Sequence, residues 1–497
     1  MSHHTATSEH PSTDHHPPTA GSAGHDVPAG DSARQPWTVL ALMLMAQLMV
    51  ILDISVVNVA LPSIGEALSF SSGDYQWVVS AYVLLSGGLL MLGGRLADLF
   101  GRRRMFLTGL GLFTAASLTS GLASSAATLI VARGAQGAGA AMLTPAALSI
   151  IVTTYAGRQR ATALAIWGTV GSMGIAAGVL LGGLLTSSVG WRGIFFINVP
   201  IGIVAAAATL RSVAGSRRAG ELRGLDVPGA AALVTGLLAL VYAIENAGTH
   251  GWASGRALVG FAASAALLCA FALVERRVPA PLVPPATWRI RSLVSASTVM
   301  AAITGAIVGA IFFSSLFLQQ VIGSSAVVTG LQLLPLAAAI TFGAAAASKV
   351  IGHVGPKPLM VAGLLVVAAG AAYLAAMDAD PGYWTDVLPG FLVIGIGTGP
   401  MFVAVSIAAM GGIGHEQSGL ASGVMMTGHE VGAALGVASL SAVAGELTTR
   451  AGLLDAFPRV FTAVAVAMVV LSAFTALAVP HVKATGHGPG HGHGHGH

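Results

Sequence analysis

Fourteen apolar stretches, each about the length of a membrane-crossing helix, recur along this 497-residue chain. They run from Trp37–Leu61 to Val460–Val479, and a spanning helix needs about 20 mostly apolar residues. Only 8% of the residues are Asp, Glu, Lys or Arg, against roughly 25% in soluble domains. So few charges cannot cover a water-soluble protein of this size, so lipid is the main solvent. The net charge of +4 does not imply a nucleic-acid partner. The basic residues lie in short clusters between apolar runs, not on one polar face. The single cysteine, Cys269, rules out a disulfide framework and reads as a small buried hydrophobe.

Lysine and arginine orient the spans. With both tails in the cytoplasm, seventeen fall on the cytoplasmic side and four, Arg192, Arg256, Arg450 and Arg459, on the other. Arg95 and Arg133 remain inside spans. The longest internal polar connections flank spans seven and eight. The expected organisation is a tail over 1–36, a six-helix bundle over 37–211, a linker over 212–226 and a two-helix insert over 227–275. A linker over 276–292, a second six-helix bundle over 293–480 and a tail over 481–497 complete it. The fold class is all-α and integral to the membrane. Both tails are low-complexity and should be disordered. Each carries six histidines, but nothing fixes a coordination geometry, so no metal site and no cofactor are expected.

The sequence GGRLADLFGRRRMF, Gly93 to Phe106, gathers five charges between spans two and three. The positive-inside rule accounts for Arg102, Arg103 and Arg104. It does not account for Asp98, a carboxylate at the negative pole of its own helix. Asp98 would be stabilised by the N-terminus of another helix or by nearby arginines. Such a contact between bundles would latch one face closed. Gly94 would admit another backbone, and Gly101 would permit a tight turn.

This motif resembles the loop 2–3 signature of the major facilitator superfamily, departing from it at Leu99. SKVIGHVGPKP after span ten is a weaker echo that keeps Gly355 and Lys357 but lacks the acid. LDISVVNVALPSI, RGAQGAGAAMLTPAALSII, GWRGIFFINVPIG and GLASGVMMTGHEVGAALG resemble blocks of its fourteen-helix drug:proton antiporter branch. The resemblance implies two related halves and alternating access. The Ala- and Gly-rich, Arg-over-Lys composition points to a bacterial source and hence its plasma membrane, and the protein is read as a monomer. The antiporter motif of span five is present as GIAAGVLLGG, with Val179 in place of its proline. Gly174, Gly178 and Gly182, with Gly183 beside them, still form a small face suited to close helix contact.

Ionisable groups inside spans are functional candidates by default. Asp53 in span one and Arg133 in span four lie at similar depth. They form either a structural ion pair or, as the resemblance implies, the proton-coupling site. Glu430, beside His429 in span thirteen, stands where that branch usually has Gln. It is placed to bind a proton or a cationic substrate, or else pairs with a polar neighbour and does no transport. Glu245 reads as an interfacial anchor. Asn58, Gln136, Trp167, Gln320 and His429 are the candidate substrate contacts; helix–helix hydrogen bonding is their alternative role.

No phosphate-binding loop motif is present, so ATP is not the energy source. No nucleophile–base constellation points to an enzyme. The leading expectation is proton-driven export of hydrophobic or cationic drugs, with the lipid bilayer, protons and a small molecule as the partners. A major-facilitator carrier of another class, or a non-transporting receptor, is the alternative.

Overall fold

The computed structural model describes residues 37–155, 157–213, 226–279, 281–377, 380–410 and 418–480. Both histidine-bearing tails, most of the 212–226 linker, and the side chains of Arg158 and Val179 lie outside the described residues. The helices are α1 (Trp37–Leu68), α2 (Ser72–Phe100), α3 (Arg102–Gly121), α4 (Ala126–Thr154), α5 (Gly157–Val189), α6 (Gly193–Ser212) and α7 (Val227–His250). They continue as α8 (Gly255–Glu275), α9 (Arg291–Gln320), α10 (Ala326–Val354), α11 (Pro356–Ala375), α12 (Leu388–Met410), α13 (Ser418–Ala444) and α14 (Arg450–Ala478). In α6 a four-residue turn joins the longer segment through Ile197, whose backbone is itself helical. That makes fourteen helices and no strand among the described residues. Eleven are long and apolar enough by themselves to cross a membrane.

Helix starts follow their capping chemistry. Ser125, Ser254, Ser325 and Thr449 each accept a bond from the backbone N–H three residues on. This satisfies one of the orphan donors of a first turn. Asp226 does the same for Gly229 at the start of α7.

The two halves repeat one another in detail. Gly101 is the single residue between α2 and α3, at φ 95°. Gly355 is the single residue between α10 and α11, at φ 82°. Each lies in the positive-φ region that favours glycine. Each donates its N–H to the carbonyl four residues back, Ala97 or Ile351. Packing repeats as well. A Cβ on Gly109 of α3 would lie 2.8 Å from the Gly139 carbonyl oxygen of α4, and one on Gly363 of α11 2.8 Å from that of Gly397 in α12. Proline explains another matched pair. Pro145 and Pro400 bring no N–H to their helices, which leaves the carbonyls of Ala141 and Ile396 without a helical donor. Those two oxygens are the ones nearest to Gly93 of α2 and Gly343 of α10.

Small residues also seat α5. Gly174 packs on Ile51, Gly178 on Leu52 and Ser55, and Gly182 on the Val56 backbone of α1. Both runs ascend together, so the helices are parallel. Gly183 instead meets the backbone of Ala326 and Val327 on α10, across the two halves.

Cys269 is exposed on α8, contrary to the buried hydrophobe expected. Among the eleven spans α8 has the smallest buried share, so its flank faces lipid. A thiol is apolar enough to sit there.

A buried ion pair and the seam beside it

Asp53 and Arg133 come from α1 and α4, and both are buried, at 3% and 1% exposed. The Arg133 Nη1 donates to Asp53 Oδ2 in a direct ion pair. A buried charge is tolerable only when its remaining lone pairs and protons are also matched. Here they are. Gln136 Nε2 donates to Asp53 Oδ1 at 3.0 Å, and Asn198 Nδ2 donates to the same oxygen at 3.2 Å. Arg133 Nη1 also reaches Gln136 Oε1 at 3.1 Å, and its Nε reaches the Val78 carbonyl at 3.2 Å.

A further layer holds these partners. Ser120 Oγ donates to Gln136 Oε1, and Asn198 Nδ2 donates to Ser117 Oγ at 3.0 Å. Ser117 in turn donates to the Phe195 carbonyl. The guanidinium lies 4.3 Å from the centroid of the Tyr82 ring. The network therefore ties α1, α2, α3, α4 and α6 around one carboxylate. Tyr82 itself is fully buried, and its hydroxyl has no hydrogen-bond partner among the described residues.

Glu430 occupies the neighbouring seam. Its Cα and Cβ lie against Gly87 of α2, so α13 of the second half touches α2 of the first at this point. Tyr82, whose ring lies under Arg133, is five residues before Gly87 on the same helix α2. His429 Nδ1 stands 3.7 Å from Glu430 Oε1, and its ring lies 6.3 Å from that of Phe402.

The five residues expected to contact substrate are not brought together. Gln136 is fully buried and is used up in the ion-pair network. Asn58 is buried where α1 meets α9, its amide donating to the Ile54 carbonyl. Gln320 lines a cavity of about 570 Å³ with Glu66 and Tyr75 at the end of the molecule holding the α1–α2 link. Trp167 is half-buried and packs on the core of the first half. His429 alone stays beside Glu430.

The same end carries a seam between the halves. Ser315 Oγ and Gln319 Nε2 of α9 donate to the carbonyls of Asn58 and Val59, each at 2.8 Å. Pro62 is the cause of the first bond, because it brings no N–H to pair with Asn58 within α1. The Leu447 N–H donates to Ser72 Oγ at 3.2 Å. Glu245 reaches from α7 to α2, where Trp77 Nε1 donates to its Oε2 at 2.6 Å.

At the opposite, arginine-rich end Asp98 is exposed and makes no ion pair among the described residues. Arg102 is half-buried, and Arg103 donates to the Leu210 carbonyl at the end of α6. A Cβ on Gly94 would meet only Pro145, at 3.7 Å, which is ordinary contact. The close backbone approach expected there belongs to Gly93, against Ala141. One residue turns a helix by about 100°, enough to move the contact to the neighbour.

Tyr82, Asn198, Ser117 and Ser120 were not expected at this site. Asn198 carried a signal, an amide inside the apolar run IFFINVPIG. The other three are ordinary residues of polar-tolerant helices.

Residues 43–437 match the family model described as Major Facilitator Superfamily. The chain is 39% identical over 411 residues to "Puromycin resistance protein pur8" of Streptomyces alboniger, covering 82% of this chain and 81% of that protein. It is 37% identical over 445 residues to "Cephamycin export protein CmcT" of Amycolatopsis lactamdurans, covering 88% and 91%. A solved structure of a bacterial homologue of the human lysosomal transporter Spinster, inward-facing and unoccupied, superposes with a TM-score of 0.66 at 18% identity. It covers 90% of this chain and 97% of its own. The match runs through both halves and the helices that carry the ion pair, so the chain belongs to the major facilitator superfamily.

Proposed function

We propose that this protein exports hydrophobic or cationic antibiotic-like molecules, driven by proton influx. The observation that carries the reading is the Asp53–Arg133 pair, buried one helix away from a second acid, Glu430, on the seam between the halves. Relatives named for puromycin resistance and cephamycin export support the cargo class. Protonation of Asp53 would remove the charge that neutralises Arg133 and loosen the acceptor shared by Gln136 and Asn198. Such a change biases two states only through a difference in their stability, and five helices feel it here. Glu430 then offers a site where a proton and a cationic cargo compete.

In this reading α1–α6 and α9–α14 are the moving bundles, α7 and α8 are inserted between them, and the monomer is the working unit. Both tails face the cytoplasm. The state described is closed at the far end by the Ser315, Gln319 and Leu447 bonds. Asp98 engages only in the alternate state, through Gly101, Arg102 and Arg103 at the α2–α3 corner. Proteoliposomes with an imposed pH gradient and a panel of lipophilic cations and antibiotics test the proposal. Cargo accumulation against its gradient should vanish when the pH gradient is collapsed. Equal uphill movement without the gradient would remove the proton from the mechanism.

A further inference from the structure

Between α8 and the segment that follows it lies a groove of about 980 Å³, none of whose lining residues belongs to the Asp53–Arg133 network or to the Glu430 seam. Its wall is apolar, built from Leu233, Leu268, Phe271 and Val283. Its rim carries Arg276, Arg289 and Trp288. Neither arginine has an ion pair among the described residues, and both are exposed. Glu275 lines the groove too, but its carboxylate forms no ion pair with either arginine among the described residues. It is buried, and its two carboxylate oxygens accept the backbone N–H groups of Leu282 and Val283 at 3.1 and 2.9 Å. Those bonds fold the connection back along α8 and fix the Val283 wall. Arg95 of α2 holds the same connection through the Pro281 carbonyl at 2.8 Å.

The groove opens on α8, the span with the smallest buried share, and so faces lipid. Trp288 is 58% exposed at its mouth, as befits a ring at headgroup level. Cations above an apolar trough at the end of a span match one amphiphile: an anionic head with acyl chains below it. A lipophilic cation would meet two like charges.

We propose that this groove binds an anionic phospholipid, with Arg276 and Arg289 on the phosphate and an acyl chain along Leu268 and Phe271. The leaflet assignment rests on the orientation proposed above; binding itself does not. The test uses the full-length protein in uncharged detergent, titrated with phosphatidylglycerol or with phosphatidylcholine of the same chains. Thermal unfolding and lipid retained in native mass spectrometry are the readouts. Phosphatidylglycerol should stabilise and be retained, and phosphatidylcholine should do neither at equal concentration. The double variant Arg276→Gln/Arg289→Gln should need more lipid for half-effect, at roughly five-fold for each basic residue and so about twenty-five-fold. Ala272→Trp, which fills the trough, should abolish retention. Equal response to both lipids, an unchanged double variant, or displacement by lipophilic cations overturns the proposal. Because the assay needs neither a pH gradient nor transport, its failure would leave the export reading standing.

Discussion

The Arg133 guanidinium is held between the Asp53 carboxylate and the face of the Tyr82 ring, 4.3 Å from its centroid. Three different chemistries meet there: an ion pair, a stacked aromatic face, and a backbone carbonyl at Val78. The first two can be removed separately, at Asp53 and at Tyr82.

Arg133→Leu leaves Asp53 buried with its charge unmatched. Losing one partner of a buried pair costs about 3–5 kcal/mol, which denaturant unfolding in detergent will measure. Arg133→Lys keeps the charge but loses the planar fork, the stacking and the Nε bond, and should fall between the parent and Arg133→Leu. The double variant Asp53→Asn/Arg133→Leu should recover much of the stability yet export nothing against a gradient. A double variant that pumps normally would separate the pair from the proton pathway.

Tyr82→Phe keeps the ring beneath Arg133 and deletes a buried hydroxyl that has no partner among the described residues. Removing such a group relieves a desolvation cost of about 1–3 kcal/mol. The melting temperature should hold or rise. Tyr82→Ala, which loses the ring, should lower it. A marked loss of stability in Tyr82→Phe would mean that the hydroxyl is hydrogen-bonded after all.

Gly87→Val tests the seam. Any side chain on Gly87 would overlap the Cβ of Glu430, which cannot swing aside as a flexible tip could. Export should fall at least about ten-fold, equivalent to roughly 1.4 kcal/mol on the seam-closed state. Membrane insertion, read by yield in detergent, should stay near the parent level. Gly88→Ala is a weaker control, since its new Cβ presses on a Val234 methyl of α7 while the Val234 backbone stays 3.8 Å away.

Pro62→Ala supplies an N–H that competes with Ser315 for the Asn58 carbonyl. The far seam should loosen, and a cysteine placed at Ser63 should react faster with a water-soluble maleimide. Ser315→Ala should give the same increase by removing the donor. An unchanged rate in both variants would show that this bond does not hold the seam.

The number of helices and most of their limits were legible because lipid imposes a length and a polarity on each one, but α1, expected to end at Leu61, runs to Leu68, and α14, expected from Val460, starts at Arg450. Arg256–Val274, expected as span eight, is Gly255–Glu275 in the structure. Asp53 and Arg133 stood out because a charge within an apolar run has few reasons to be there. Gln136 and Asn58 were recognised as polar; in the structure Gln136 makes the helix–helix hydrogen bonds that stood as the alternative to substrate contact, and the Asn58 amide bonds within its own helix. Which way a helix face points is decided by packing among fourteen helices, and local sequence does not contain it. The same limit moved the close approach from Gly94 to Gly93. Ser117 and Ser120 gave no signal, since serine is common on helix-facing surfaces within membranes.

The proline-created bond between α9 and α1 has a consequence for how the molecule answers acid. Ser315, Gln319 and the peptide oxygens they hold are all electrically neutral. No acidity within the physiological range alters them, and water can replace them one at a time without stranding an ion in hydrocarbon. These two α1–α9 bonds are thus a mechanical fastening, deaf to protons. In the proton-driven reading proposed above, the signal to open comes from deeper inside, from Asp53 and Glu430, to which neither of these two side chains is bonded.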